Sequence, residues 1–394
     1  MNENSMPINE MFDGLKRLVR DVSDDGHLYS PGLEGVVAAE TSLSSADALL
    51  YRGYEVDRLA SAATFPEVAW LILNRQLPTQ EQYADFRSTM NETSTDPTVL
   101  EWVDTIPMSV ELSDVLRSTV SMLGHFDAQP DDVSADAVTL RVGRLLSQLP
   151  QIMASRFCGL RGLEPVEFSD ELSYATNLYR MLTGVRPTLL QERAFEAWMI
   201  ICCDEQFDTA AFSARVTGSS TTDLYAILSS TMATFCGRRH SPRHSTLLLK
   251  ILQSESVDVA ERRLRKVLSR ARRLDGFVSA MTDEPDPRVE LLSEFCRELA
   301  AKLDQQSLES IADRVEEIMY NEFDKSPMPL WPALRLQLYL GLDPDLLAPL
   351  MMITKIPAWA AHAVEQACLP DPMNPLARYI GQPHREFQPL TNRG

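Results

Sequence analysis

The chain has 394 residues, longer than one ordinary domain, and 44% of them are apolar, enough to fill the cores of two packed domains. Its net charge of −19 opposes nucleic acid or anionic lipid as a general partner. No uninterrupted apolar run reaches the length of about 18 residues that crosses a membrane, and the polar opening Met1–Arg17 resembles neither a signal peptide nor an Arg-rich transit peptide, so cytoplasmic residence is expected.

Leu33–Thr41 and Leu49–Val56 read as a small pair of strands, the one β-like stretch in the sequence. Helical periodicity dominates from there on. The polar, punctuated runs Thr93–Thr98 and Asp127–Ala137 predict surface loops. Ser173–Leu182 spaces apolar residues three and four apart, and Arg193–Cys203 and Thr222–Phe235 are apolar enough for buried helices. Val257–Leu274 is amphipathic, with Val259, Leu264, Val267 and Leu268 on one side; Pro287–Leu303 and Leu308–Tyr320 repeat the pattern. Asp345–Cys368 is long and apolar, with a kink or break expected at Pro357.

Strands and helices do not alternate, so the fold class is all-α and a doubly wound sheet is excluded. No GxGxxG, GxxxxGKS, GxSxG or HExxH motif occurs. The six cysteines (Cys158, Cys202, Cys203, Cys236, Cys296, Cys368) form no CxxC pair and read as buried, reduced thiols, with no metal site and no resident cofactor expected. The stretch Arg238–Arg273 carries a net charge of +8 inside an acidic protein. It reads either as a solvated helix face paired with acidic surroundings or as a site for a CoA-like phosphate or an acidic partner.

A series of short segments then carries a resemblance. Gly32-Leu-Glu-Gly-Val-Val-Ala-Ala-Glu-Thr41 is followed by Leu50-Tyr-Arg-Gly-Tyr54, and Phe65–Leu73 runs on to Leu77-Pro-Thr79. Asp114–Ser118, Met181–Gly184, Phe212–Val216, Asp223–Tyr225, Trp359–Gln366 and Ala377–Gly381 follow in order. Together they resemble bacterial citrate synthases from about residue 32 to the C-terminal end. The resemblance implies a two-domain, all-helical fold with a short N-terminal β hairpin. It divides the chain into a large domain at 1–239 and 342–394 and a small domain at 240–341. It also implies a homodimer and a CoA thioester as substrate rather than a bound cofactor; a degenerate member could instead form a heterodimer with an active paralogue.

The family reaction joins acetyl-CoA to oxaloacetate: a carboxylate removes a methyl proton, one His holds the thioester oxygen, another polarises the ketone, and Arg side chains hold the carboxylates. By this resemblance His240 falls on the thioester-holding position, but the small residues after it have become Ser241, Pro242 and Arg243. Glu205, in Cys202-Cys-Asp-Glu-Gln206, stands where a His meets oxaloacetate, so like charges face each other. The ketone-polarising His is Ser279; the Arg and Lys that follow it in the family are Ala280 and Asp283. Arg288 is retained. The catalytic Asp is Leu330, and no Asp or Glu lies between Lys325 and Leu342 to take its place. Two further carboxylate-binding Arg positions hold Lys355, which keeps the charge without the planar fork, and Asn374, which keeps neither.

Each retained residue has a plainer reading. His240 is either a relic or still active, Arg288 either caps a helix or binds an anion, and His362, Cys202 and Cys203 read as structural. Three functions stay open: a degenerate member with a regulatory, structural or paralogue-partner role; an acyl-CoA condensing enzyme with a changed substrate, using Glu205 or Asp283 as base; and a binding module presenting its basic face.

Overall fold

The computed structural model describes residues 21–22, 28–33, 36–45, 48–237, 246–269, 274, 276–279, 286–377, 379–382 and 384–393. The chain falls into two compact units, Met1–Ser42 and Leu43–Gly394. The first contains the antiparallel pair β1 (Asp21–Val22) and β2 (Leu28–Tyr29) and a single 3-10 turn at Pro31–Leu33.

The second unit opens with a small antiparallel sheet, β3 (Ser44–Ser45), β4 (Leu50–Tyr51) and β5 (Tyr54–Glu55), paired in that order. Helices follow: α1 (Val56–Ala62), α2 (Phe65–Asn74), α3 (Gln80–Glu92), α4 (Pro97–Thr105), α5 (Leu112–Leu123), α6 (Ala135–Arg161), α7 (Tyr174–Thr183), α8 (Leu189–Ile201), α9 (Thr209–Gly218) and α10 (Leu224–Phe235). Then come α11 (Thr246–Leu252), α12 (Val257–Leu268), β6 (Phe277–Ser279), α13 (Pro287–Leu303), α14 (Gln306–Phe323), β7 (Lys325–Pro327), α15 (Leu330–Tyr339) and α16 (Leu347–Ala367). Side-chain caps start many of them. Thr79 with Gln82 and Thr188 with Gln191 form reciprocal capping boxes, and Asp208, Asp223 and Asp286 accept first-turn N–H groups.

α16 is the axis of the core. It packs most extensively against α9 and also touches α2, α6 and α10. Gly218 permits the closest approach: a Cβ there would lie 3.0 Å from the Ala363 carbonyl oxygen and 3.1 Å from its Cα. α13 packs on α15, α8 and α1.

The all-α class and the short N-terminal hairpin are present, with differences in detail. The hairpin strands lie at Ser44–Glu55, whereas Leu33–Thr41 forms no strand among its described residues. Gly32 and Leu33 both take positive φ (72° and 60°), which turns the chain instead of extending it. Residues Pro344–Ala367 run as a short 3-10 turn into α16, which continues unbroken through Pro357 because packing on all sides of the helix outweighs the lost hydrogen bond. By length and composition this segment meets the criterion for crossing a membrane, but 94% of its apolar 18-residue window is buried inside the protein, as in a core helix. The antiparallel β6–β7 pair, nearly fifty residues apart in sequence, was not legible as strand. Within the described part of the basic stretch, two arginines have local partners. Arg265 grips Glu322 through two bonds of 2.7 Å and Glu261 at 2.8 Å, while Arg263 donates to the Lys250 carbonyl.

Candidate active site

The site forms where α8 ends and the chain turns through Cys202–Phe207 into α9. Tyr51 on β4 anchors that turn. Its hydroxyl accepts from the Asp204 N–H (3.1 Å) and faces the carbonyls of Asp204 (2.9 Å) and Ile201 (3.1 Å). Burial, then Asp204, pushes the Tyr51 phenol well up, so it stays protonated. Asp204 in turn lies 3.4 Å from His362 Nε2 on α16. Burial raises its carboxyl, but His362, Ser44 and Lys355 outweigh that and hold it below the usual range.

His362 is part of a buried relay. Its Nδ1 accepts from Arg215 Nε at 3.2 Å, which leaves the ring proton on Nε2, toward Asp204. Arg215 also pairs with Glu365 at 2.6 Å, and Glu365 pairs with Arg52 at 2.7 Å. Such buried networks of ion pairs and hydrogen bonds fix one arrangement of the elements that carry them. Here they lock α9, α16 and the β4–β5 turn together.

Lys355, about two helical turns before His362, points at the same loop. Its side chain is 1% exposed, its Nζ makes no hydrogen bond among the described residues, and it lies 3.4 Å from Glu205 Oε2. Burial lowers the ammonium, yet Glu205, Asp208, Cys202 and Asp204 outweigh it, so the group is held above its ordinary range and is charged. Asp208 accepts the Ala211 N–H at 2.7 Å, and burial pushes its carboxyl up to about 6. Glu205, Phe207, Asp208, Thr209, Thr234 and Phe235 line a cavity of about 260 Å³ among the described residues.

Arg288, in the first turn of α13, reaches this cluster; burial lowers its guanidinium, but Asp286 and, more weakly, Glu205 outweigh that and hold it above its ordinary range. Its fork is closed on Asp286 (2.7 Å at Nη2 and 3.0 Å at Nε), the residue that also caps its helix. The thiols of Cys202 and Cys203 are buried and pushed up, Cys202 to about 12, as core thiols are.

The other sequence-selected positions lie elsewhere. Ser279, at the end of β6, accepts from Lys325 Nζ at 2.5 Å on β7. Leu330 opens α15 just beyond β7 and is half-buried against the core; its neighbour Trp331 donates to Glu316 at 2.6 Å. β6–β7 pairing thus brings the Ser279 and Leu330 segments side by side. Asn374 is exposed and, among the described residues, bonds to neither Lys355, Glu205 nor Arg288. His240, Ala280 and Asp283 lie outside the described residues. Sequence reading did not single out Asp208 or the Arg215–Glu365–Arg52 relay. The only signal for Asp208 was its position as a helix cap ahead of Thr209-Ala-Ala211.

The family model for "Citrate synthase, C-terminal domain" matches residues 32–379. The chain belongs to the citrate synthase family. "Citrate synthase 2" of Bacillus subtilis is 26% identical over 366 residues, 92% of this chain and 98% of that protein. "2-methylcitrate synthase 1" of Corynebacterium glutamicum is 29% identical, covering 92% and 98%. In fold, the chain is similar to the citrate synthase of Pyrobaculum aerophilum (TM-score 0.84, 24% identity, 94% and 97% covered). It is also similar to the Thermoplasma acidophilum citrate synthase solved with carboxymethyl coenzyme A and oxaloacetate (TM-score 0.83, 19% identity, 93% and 99% covered). Within a citrate-synthase scaffold, then, the buried Lys355 faces the turn that carries Glu205 and Asp208.

Proposed function

We propose that this citrate synthase family member has lost ordinary citrate formation and serves as a binding, regulatory or structural subunit, as a homodimer or beside an active paralogue. One observation carries the reading: the described cations left for a dicarboxylate are already neutralised from within. Lys355 faces Glu205, and the Arg288 fork is closed on Asp286. Leu330, where the family places its proton acceptor, adds to this. Loss of a positioned base alone lowers a rate by about 10²–10⁴. The test is thiol release from acetyl-CoA with oxaloacetate, run on the pure protein beside calorimetry with free CoA. The expected result is no turnover above the protein-free rate. Turnover abolished by His240→Ala overturns the reading.

A second reading is an active acyl-CoA condensing transferase, of citrate or methylcitrate synthase type, with an altered substrate. The cavity beside Glu205 and Asp208 favours it, because a carboxyl held at about 6 is matched to proton transfer near neutral pH. Acetyl-CoA and propionyl-CoA assayed against a panel of 2-oxo acids test it. Absence of thiol release and of any calorimetric signal removes it.

A further inference from the structure

We draw no further inference here: the strongest candidate, the surface segment that follows α16 and exposes Leu376, Ile380, Phe387 and Leu390, carries nothing because nothing in the structure shows what covers it.

Discussion

Lys355 Nζ and Glu205 Oε2 lie 3.4 Å apart, a buried ammonium on α16 facing a half-exposed carboxylate on the turn before α9. Both residues replace family side chains by resemblance, and the replacements compensate each other: one brings a negative charge to where the other leaves a compact positive one. Glu205→Gln is expected to lower stability by about 1–2 kcal/mol. Removing a partner from a buried charge is costly, but Asp208 and Asp204 remain and solvent already screens Glu205. Adding Lys355→Met should recover most of the loss. Urea midpoints of the two single variants and the double variant measure the coupling, and strictly additive losses would contradict the pairing.

Glu365 holds two buried guanidinium groups, Arg215 and Arg52. Glu365→Gln keeps the volume and leaves both cations without their carboxylate, at an expected cost of about 3–5 kcal/mol. Denaturant unfolding followed by circular dichroism reads it. A change under 1 kcal/mol would mean that Arg215 and Arg52 find other partners.

Glu196 lies inside α8 and accepts the Phe65 N–H at the start of α2. Burial, with Glu192 and Glu67 nearby, pushes its carboxyl from 4.5 up to about 7. Below the lower value it is protonated in both folded and unfolded chains and has no effect on their balance. As pH rises toward 7 the unfolded chain ionises first, so the native state loses stability; the loss is complete above about 7 and reaches about 3 kcal/mol. Glu196→Gln is therefore expected to be more stable than the unaltered protein at pH ~8, with the difference vanishing near pH ~4.5. Thermal melts across that range decide it, and a difference independent of pH counts against the assignment.

Leu330→Asp restores an acid at the start of α15, where the helix dipole favours it. Thiol release from acetyl-CoA and oxaloacetate is nonetheless expected to stay at the background rate. By the family resemblance, Ser279 stands in place of a polarising imidazole and Glu205 in place of a His that meets the acceptor. Recovery of turnover by this one substitution would show that the acceptor pocket remains serviceable.

Much of the helical architecture was legible locally. Pro287–Leu303 matches α13 to the residue, and the apolar spacing of Ser173–Leu182 and Thr222–Phe235 locates α7 and α10 within two residues at each end. These helices carry their start signals in their own sequence, as Ser173, Asp223 and Asp286. Pairings across long separations were not legible. Neither Phe277–Ser279 nor Lys325–Pro327 has a strand pattern, and each becomes a strand only beside the other.

The order of residues alone determined the family and the all-helical class, because motif spacing and helical periodicity are properties of neighbouring residues. It left open whether Arg288 caps a helix or offers a free fork, and whether Lys355 still presents an available charge. Those are questions about partners. Folding answered them by bringing Asp286 onto Arg288, Glu205 onto Lys355, and Asp208 to the wall of a cavity. A charge's effect depends on what lies within a few ångströms of it, and only the packing of α8, α9, α13 and α16 sets those distances.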